Sequence, residues 1–155
     1  MLIPRPAPKY KYEAIIVGLI LFNSTLDKGI LIAYTPAAKI AKNITDNGIE
    51  IAGFQEVDNK TTRASKKEQI KEIANKTGYQ YYKFFKAIDF QGGGYGLGIV
   101  SKYPIESTKL IKLSSGSAEQ RILAHAVINV NGEKINFFVT FFKISTANVR
   151  QKFPD

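Results

Sequence analysis

The sequence IAGFQEVD at residues 51–58 and the sequence QGGGYGLGIVSKYPI at residues 91–105 decide the fold of this chain. The first is an apolar run that ends in acidic residues, which is typical of a buried strand. The second predicts a glycine loop that leads into a short apolar strand. A strand that carries Gln55 and Glu56 at its carboxyl end places a charge where an α/β sheet opens its ligand crevice. We therefore expect a metal ion or a phosphate group at this position.

The composition predicts one globular domain. The chain has 155 residues, of which 45% are hydrophobic and 12% aromatic, enough to build a core without disulfides or a metal. It contains no cysteine, which excludes a disulfide framework, thiolate catalysis and cysteine-ligated zinc. The prolines at positions 4, 6 and 8 predict that residues 1–12 form an extended leader. We expect residues 13–155 to form the domain.

The chain is strongly basic, with a formal net charge of +9. Such a charge favours polyanionic partners, including nucleic acid and anionic membrane surfaces. The alternative is that the lysines of two predicted helices simply face solvent. The charge supports a phosphate-bearing ligand and leaves its identity open, with nucleic acid favoured.

An apolar run, AIIVGLILF, occupies residues 14–22. Lys9 and Lys11 precede it as they would in a signal peptide, but Glu13 interrupts the basic flank and no cleavage site of small residues follows. The run is too short to span a bilayer. We interpret it as the first core strand, and we expect a cytoplasmic protein without an integral membrane segment, with secretion as the alternative.

Two helices are predicted from their end signals. Thr35 and Pro36 precede an apolar pattern that ends at Asn47-Gly48, which gives a cap, a first-turn proline and a terminal glycine. Ser65 with Glu68 three residues later has the form of a capping box for a second helix that ends at Gly78.

The remaining segments predict strands at residues 49–57, 79–87, 98–101, 107–113, 121–130 and 134–142. Asn131-Gly132 between the last two is a strong hairpin signal. The predicted fold class is α/β (α+β), with two strand–helix units followed by an antiparallel region.

Seven short motifs follow one another in an order typical of a known family. They are Phe22-Asn23, QEVD at 55–58, Arg63, GGYG at 93–96, SKYPI at 101–105, EQR at 119–121 and VTFF at 139–142. From about residue 20 to residue 151 the chain resembles the endonuclease/exonuclease/phosphatase superfamily, the metal-dependent phosphoesterases that include DNase I. The resemblance implies a sandwich of two mixed β-sheets flanked by helices, of which this chain holds only a part.

The resemblance also implies roles for four residues. Glu56 is the metal carboxylate, for Mg²⁺ or alternatively Mn²⁺, and Asn23 orients the metal shell or the phosphate. Tyr95 and Arg121 lie near the scissile phosphate. The structural alternatives are a turn residue for Asn23, a packed aromatic for Tyr95 and a surface arginine for Arg121. Arg63 and Gln69 also match, and we expect them to brace the loop after Glu56.

The chain departs from the family pattern in two places. Phe141 stands where the family carries a histidine, and phenylalanine cannot transfer a proton. The family's later G-D-x-N and S-D-H segments, which act on the nucleophile and in proton transfer, have no match before Asp155. His125, the only histidine, falls on a strand face and is interpreted as a packed or partly exposed residue rather than a catalytic one.

The sequence therefore predicts a metal-dependent phosphoesterase that is inactive or weakly active as this chain. The bond hydrolysed is a phosphodiester or a phosphomonoester, and DNA, RNA, phospholipid and inositol phosphate remain open as substrates. The main alternative is a non-catalytic module that binds nucleic acid or a phosphate ligand. A product of a truncated gene is a third possibility. Because half a sandwich exposes apolar surface and free edges, we also expect an oligomer or completion by another polypeptide.

Overall fold

The structure is a computed structural model that describes residues 37–140. Asn23, Phe141, the leader at 1–12 and the apolar run at 14–22 lie outside the described residues. The described elements are two helices and six strands. They are α1 (Ala37–Asp46), β1 (Ile51–Asn59), α2 (Gln69–Thr77), β2 (Tyr81–Phe90), β3 (Gly93–Ser101), β4 (Ile105–Leu113), β5 (Arg121–Val130) and β6 (Glu133–Thr140).

The strands form two three-stranded sheets, with orders β1-β3-β2 and β4-β5-β6. All pairings among the described strands are antiparallel. The prediction of an α+β fold with two sheets and flanking helices is confirmed. The Asn131-Gly132 hairpin is also confirmed: both residues have positive φ, 53° and 94°, as a tight two-residue turn requires.

Two apolar clusters arrange the elements in three layers. One cluster joins the helices to the outer face of the first sheet, where Ile40, Ile73 and Phe54 are buried together. The other joins the two sheets through residues such as Ile99, Ile128 and Phe137. The first sheet is therefore covered on both faces. Because both faces of this sheet are covered, its strands lack the strict alternation of apolar and polar residues that is typical of a strand with one exposed face.

Helix α1 forms because Ala37, Ile40, Ala41 and Ile44 recur at helical spacing and are all buried. Helix α2 ends as predicted at Gly78, whose φ is 76° and whose N–H donates to the Ala74 carbonyl. None of the helices among residues 37–140 is long and apolar enough to cross a membrane.

The predicted capping box is wrong. Ser65 and Lys66 have φ values of 53° and 59°, and α2 begins four residues after Ser65, at Gln69, with Glu68 as its cap residue and no side-chain cap hydrogen bond. Glu68 is instead held by Lys60, at 2.8 Å, so the segment before α2 is a closed loop rather than the first helical turn.

The second correction concerns the predicted glycine loop. Only Gln91 and Gly92 turn the chain, and Gly93–Ser101 is strand β3 at the centre of the first sheet. Glycines fit this position because neighbouring groups come too close for a side chain. A Cβ on Gly96 would lie 2.0 Å from the Phe85 carbonyl oxygen, and one on Gly98 would lie 2.2 Å from Cδ1 of Ile70.

Candidate phosphoester site

The described part of the chain brings three of the four predicted site residues together. Glu56, Tyr95 and Arg121 line one cleft, of about 300 Å³ including its open mouth. The remaining lining residues come from β2, β3, the segment that leads into β5, and β5 itself. They are Ala87, Gly96, Leu97, Glu119, Gln120 and Ile122. The fourth predicted residue, Asn23, lies outside the described residues.

A β-bulge places Glu56 in this cleft. The pairing of β1 with β3 shifts between Phe54 and Val57, and Glu56 has a φ of 56°. A bulge breaks the alternation of side chains along a strand and turns one of them in a new direction. We predicted Glu56 at the end of its strand, but β1 continues to Asn59. The bulge, rather than the strand end, directs this carboxylate.

Gln55, the other residue of the bulge, ties the two sheets together. Its side-chain nitrogen donates to the carbonyl oxygen of Thr140 at the end of β6. The side chain of Thr140 in turn donates to the Ile122 carbonyl on β5, at 3.1 Å. These bonds fix β1 relative to the second sheet close to the cleft, because Ile122 also lines it.

The Glu56 carboxyl group is partly removed from water. Burial raises its pKa above the ordinary value of 4.5, while the positive charges of Arg121 and Arg63 act in the opposite direction. The raised pKa means that the negative charge is incompletely balanced by the surrounding residues. A bound cation would supply that balance.

Tyr95 is held in the protonated form. Burial is the main cause that raises its pKa to about 12, and the nearby charge of Glu56 adds to the effect. At neutral pH its phenol is therefore a hydrogen-bond donor. The Tyr95 ring lies 5.8 Å from that of Phe90, and the guanidinium of Arg63 lies 5.2 Å from the centre of the Tyr95 ring.

Arg63 and Gln69 brace the segment after Glu56, as predicted. Nε of Arg63 donates to both carboxylate oxygens of the buried Asp58, at 3.0 and 3.2 Å. The Gln69 side-chain oxygen accepts from the Asp58 backbone N–H at 2.8 Å. Both contacts are made to Asp58, which lies two residues after Glu56, the candidate metal ligand.

Glu119 is a member of the cleft to which we had given no role. Its carboxylate is 3.0 Å from Nη1 of Arg121, and the EQR motif was the available signal for it. The pair sets the position of the Arg121 guanidinium at the cleft and adds a second carboxylate there.

The donor set fits a magnesium ion that is held mainly by substrate and water. Mg²⁺ is typically bound by one or two carboxylates, with waters and phosphate oxygens filling the other positions. Glu56 and Glu119 supply that number. Among residues 37–140 no group of three or more histidine, cysteine, aspartate or glutamate side chains is placed to hold a metal ion.

His125 takes no part in the cleft. It lies on the outer face of the second sheet, where its ring stacks on Phe138 with centroids 4.5 Å apart. Its Nε2 is 2.8 Å from the Asn136 side-chain oxygen. The predicted role of His125 as a packed strand residue is confirmed.

Comparison with known structures shows the same fold. An endonuclease/exonuclease/phosphatase family protein from Leptotrichia buccalis C-1013-b matches with a TM-score of 0.53 and 15% identity, over 70% of this chain and 47% of that one. D. rerio TDP2, solved as a complex with a single-strand DNA product, matches with a TM-score of 0.52 and 14% identity, over 75% and 42%. Truncated Caenorhabditis elegans TDP2 matches with a TM-score of 0.50 and 19% identity, over 75% and 42%.

The chain thus spans less than half the length of each of these three structures. A search of the curated proteins gave no match. The family model for the endonuclease/exonuclease/phosphatase family matches residues 23–144, which is most of the chain and includes every residue of the cleft. The chain belongs to the endonuclease/exonuclease/phosphatase family.

Proposed function

We propose that this chain carries the metal- and phosphate-binding part of a Mg²⁺-dependent phosphoesterase. The observation that supports this most directly is the convergence of Glu56, Tyr95 and Arg121 on one cleft. They come from β1, β3 and β5, so the fold rather than the sequence order assembles them. A carboxylate can hold a cation, and a guanidinium and a phenol can donate hydrogen bonds to phosphate oxygens.

Each residue has a distinct task in this proposal. Glu56 holds the cation, with Mn²⁺ as an alternative to Mg²⁺. The bound cation stabilises charge on the phosphate oxygens during hydrolysis. Arg121, oriented by Glu119, binds non-bridging phosphate oxygens. Tyr95, protonated at neutral pH, donates a hydrogen bond to the phosphate. Asn23 remains a proposed ligand of the metal or the phosphate.

We expect slow turnover from this chain alone. In the described residues the cleft contains no histidine, and His125 is held against Phe138 and Asn136 instead. The loss of a general acid or base typically lowers the rate by about 10²- to 10⁴-fold. Proton transfer would then depend on water, on a cleft residue other than histidine, or on residues outside the described range.

Nucleic acid is the substrate class that we favour. The formal charge of +9 favours a polyanion. A protein of the same fold, D. rerio TDP2, forms a complex with a single-strand DNA product. A phosphodiester in a nucleic acid strand is therefore the first substrate to test, with phosphomonoesters as the comparison.

The test is hydrolysis of a chromogenic phosphodiester, with and without Mg²⁺, by the wild type and by Glu56→Gln. We expect weak Mg²⁺-dependent hydrolysis that the substitution abolishes. Glu133→Gln is the matched control, because Glu133 is an exposed residue of β6 outside the cleft. Hydrolysis that persists in EDTA, or that Glu56→Gln leaves unchanged, contradicts the proposal.

A second candidate function is binding without turnover. The histidine-free cleft favours it, because a carboxylate, a phenol and a guanidinium suffice to hold a phosphate ligand. This function predicts salt-sensitive binding of nucleic acid with no hydrolysis above the EDTA background. Detectable Mg²⁺-dependent hydrolysis that requires Glu56 excludes it.

A further inference from the structure

Arg63 and two aromatic rings form a small cluster at the rim of the cleft. The central carbon of the Arg63 guanidinium lies 4.6 Å from the centre of the Phe90 ring and 5.2 Å from that of Tyr95. The two ring centres are 5.8 Å apart. We call Arg63, Phe90 and Tyr95 the rim cluster. Because Tyr95 also lines the cleft, the rim cluster adjoins the proposed phosphate site.

The strand pairing places the rim cluster on one face of the first sheet. Tyr95 of β3 lies opposite Asp58 of β1 and opposite Ile88 of β2. Phe90 lies two residues after Ile88, and residues two apart on a strand point to the same face. Asp58 holds the Arg63 side chain at this face by accepting from Nε, at 3.0 and 3.2 Å. The three side chains of the rim cluster are therefore neighbours on a single surface.

One side of the Arg63 guanidinium is turned away from the two rings. The three separations within the rim cluster are nearly equal, so the rings lie on adjoining sides of the guanidinium rather than on opposite sides. The Arg63 side chain is 27% exposed, whereas the side chain of its partner Asp58 is fully buried. A planar group can therefore approach the guanidinium from solvent.

The charges around the rim cluster are compatible with an anionic strand. Nζ of the exposed Lys66 donates to the carbonyl oxygen of Gly92, at 3.4 Å, and Gly92 lies two residues after Phe90. Asp89, which precedes Phe90, points to the other face of β2 and pairs there with Lys86, at 2.8 Å. A cation thus lies beside the rim cluster, and the neighbouring carboxylate of β2 is directed away from it.

An unpaired nucleobase is a suitable ligand for this cluster. Proteins bind unpaired bases by stacking them on aromatic rings or on the plane of an arginine guanidinium. The rings behind the guanidinium hold it in place by cation–π contact, so that little freedom remains to be lost when a base stacks on it. In a duplex each base is already stacked between its neighbours, which leaves no face for such a contact.

We propose that the rim cluster binds an unpaired nucleobase next to the phosphate in the cleft, and that Lys66 contacts the following phosphate. The base stacks on the Arg63 guanidinium, with Phe90 and Tyr95 behind it. The substrate is then a nucleic acid that is single-stranded at the scissile bond. The position of the base relative to that bond rests on the proposed function of the cleft, whereas binding of the base can be measured without catalysis.

The test separates recognition of the base from attraction of the phosphates. Two fluorescein-labelled strands of equal length and charge are compared by anisotropy in EDTA, an oligothymidylate and a strand of abasic residues. We expect the wild type to bind the oligothymidylate more tightly, by about fivefold or more, which is the effect of stacking one base. Equal affinities for the two strands would overturn the proposal.

Two substitutions in the rim cluster should reduce this preference. Arg63→Lys keeps a cation beside Asp58 but removes the guanidinium plane, so the preference should fall while the salt dependence of binding stays as in the wild type. Phe90→Leu removes a ring and leaves the ion pair of Arg63 with Asp58 in place, which provides a second variant if Arg63→Lys does not fold.

Phe138→Leu is the matched control. Phe138 is 48% exposed and stacks on His125 at the outer face of the second sheet, so this variant should keep the wild-type preference. An equal loss in Phe90→Leu and Phe138→Leu, or a full preference in both rim variants, overturns the proposal. Neither rim variant should weaken binding to a duplex of the same length, and an equal loss there would also overturn it.

Lys66 should affect the salt dependence instead of the base preference. For a single strand we expect Lys66→Gln to reduce the slope of log affinity against log salt by about 0.7, the effect of one phosphate contact. Lys39→Gln is the control, because Lys39 is an exposed residue of α1 on the helical side of the molecule. Equal slopes for these two variants would overturn the proposed phosphate contact.

A further variant separates this proposal from the proposed function. Glu56→Gln removes the metal carboxylate and leaves the rim cluster intact. If Glu56→Gln keeps the base preference while the wild type hydrolyses no phosphodiester, the base site stands and the catalytic proposal fails. If Mg²⁺-dependent hydrolysis is present and the wild type has no base preference, the reverse holds.

Discussion

Nε of Arg63 lies 3.0 Å from Oδ2 of Asp58, and that aspartate is fully buried. The same guanidinium covers the rings of Phe90 and Tyr95, at 4.6 and 5.2 Å from their centres. Arg63 therefore connects the strand that holds Glu56 to the strand that holds Tyr95. The backbone pairing of β1 with β3 sets the relative position of the two strands, and Arg63 adds a side-chain contact between them.

We expect Arg63→Met to lower the free energy of unfolding by about 3 kcal/mol, because it leaves the buried Asp58 carboxylate without its partner. Urea unfolding of the wild type and the variant measures the change. Lys42→Met is the control, since its pair with Asp46 is exposed, at 74% and 52%, and such pairs contribute about 0–1 kcal/mol. Similar losses in both variants would show that the Arg63 contact is an ordinary surface pair.

Two glycines of β3 should respond very differently to alanine. A Cβ on Gly96 meets backbone, the Phe85 carbonyl oxygen at 2.0 Å, whereas a Cβ on Gly94 meets the flexible side chain of Lys86 at 3.0 Å. We expect Gly96→Ala to lower the free energy of unfolding by more than about 3 kcal/mol, which exceeds the usual range for overpacking because the backbone cannot move aside. We expect Gly94→Ala to lower it by less than about 1 kcal/mol. Chemical unfolding distinguishes the two, and equal costs would contradict the described packing of β2 against β3.

The backbone of Glu56 should be a source of strain. Its φ of 56° is unfavourable for a residue with a Cβ by about 1–2 kcal/mol, and glycine avoids this cost. We expect Glu56→Gly to be more stable than Glu56→Ala by about 1 kcal/mol, since both variants lack the carboxylate and only alanine keeps a Cβ. Thermal unfolding compares them. A more stable alanine variant would mean that the bulge is absent.

The pH dependence of stability should report the burial of Glu56. Its pKa is raised above 4.5 in the folded state, so the folded chain holds this proton more tightly than the unfolded chain does. The stability that Glu56 contributes is present below pH 4.5 and is lost as the pH rises through the raised pKa. We therefore expect Glu56→Gln to be more stable than the wild type at neutral pH.

That difference should shrink as the pH falls below 4.5, where the wild-type side chain is protonated and resembles glutamine. Melting temperatures of both proteins across this range measure it. Added Mg²⁺ should raise the melting temperature of the wild type at neutral pH and leave that of the variant unchanged. A difference that does not depend on pH would indicate that Glu56 is fully solvated.

Regular patterns predicted the regular parts of this fold. The alternation in Arg121–Val130 gave strand β5 with its observed bounds, because one of its faces is buried and the other is not. The Asn-Gly pair gave the hairpin, since few residues accept positive φ at both positions. The family, Glu56, Tyr95 and Arg121 were found because their motifs keep their order along the chain, and the structure brings these three residues together. The roles of these three residues, and the assignments of Asn23 and Phe141, stay predictions.

Local exceptions could not be predicted in the same way. The glycines from Gly93 to Gly96 were interpreted as a loop, because their need for glycine comes from neighbours distant in sequence, such as Lys60 beside Gly93 and Phe85 beside Gly96. Ser65 had the sequence of a cap, but a loop closed by the bond from the Lys60 N–H to the Lys67 carbonyl overrode it. The bulge at Glu56 has no sequence signal at all, since φ > 0 is rare for glutamate.

The bulge in β1 makes the site depend on the number of residues in the strand as well as on their identity. Gln55 and Glu56 together occupy the space opposite Leu97, where a regular strand has one residue. A deletion of either residue would restore regular pairing and leave a single side chain to serve both the tie to Thr140 and the cleft. A relative with an acidic residue at the position of Glu56 is therefore functionally comparable only if its strand also has the extra residue of the bulge. A sequence alignment that ignores the extra residue would be shifted by one position and would pair Glu56 with a residue that does not face the cleft.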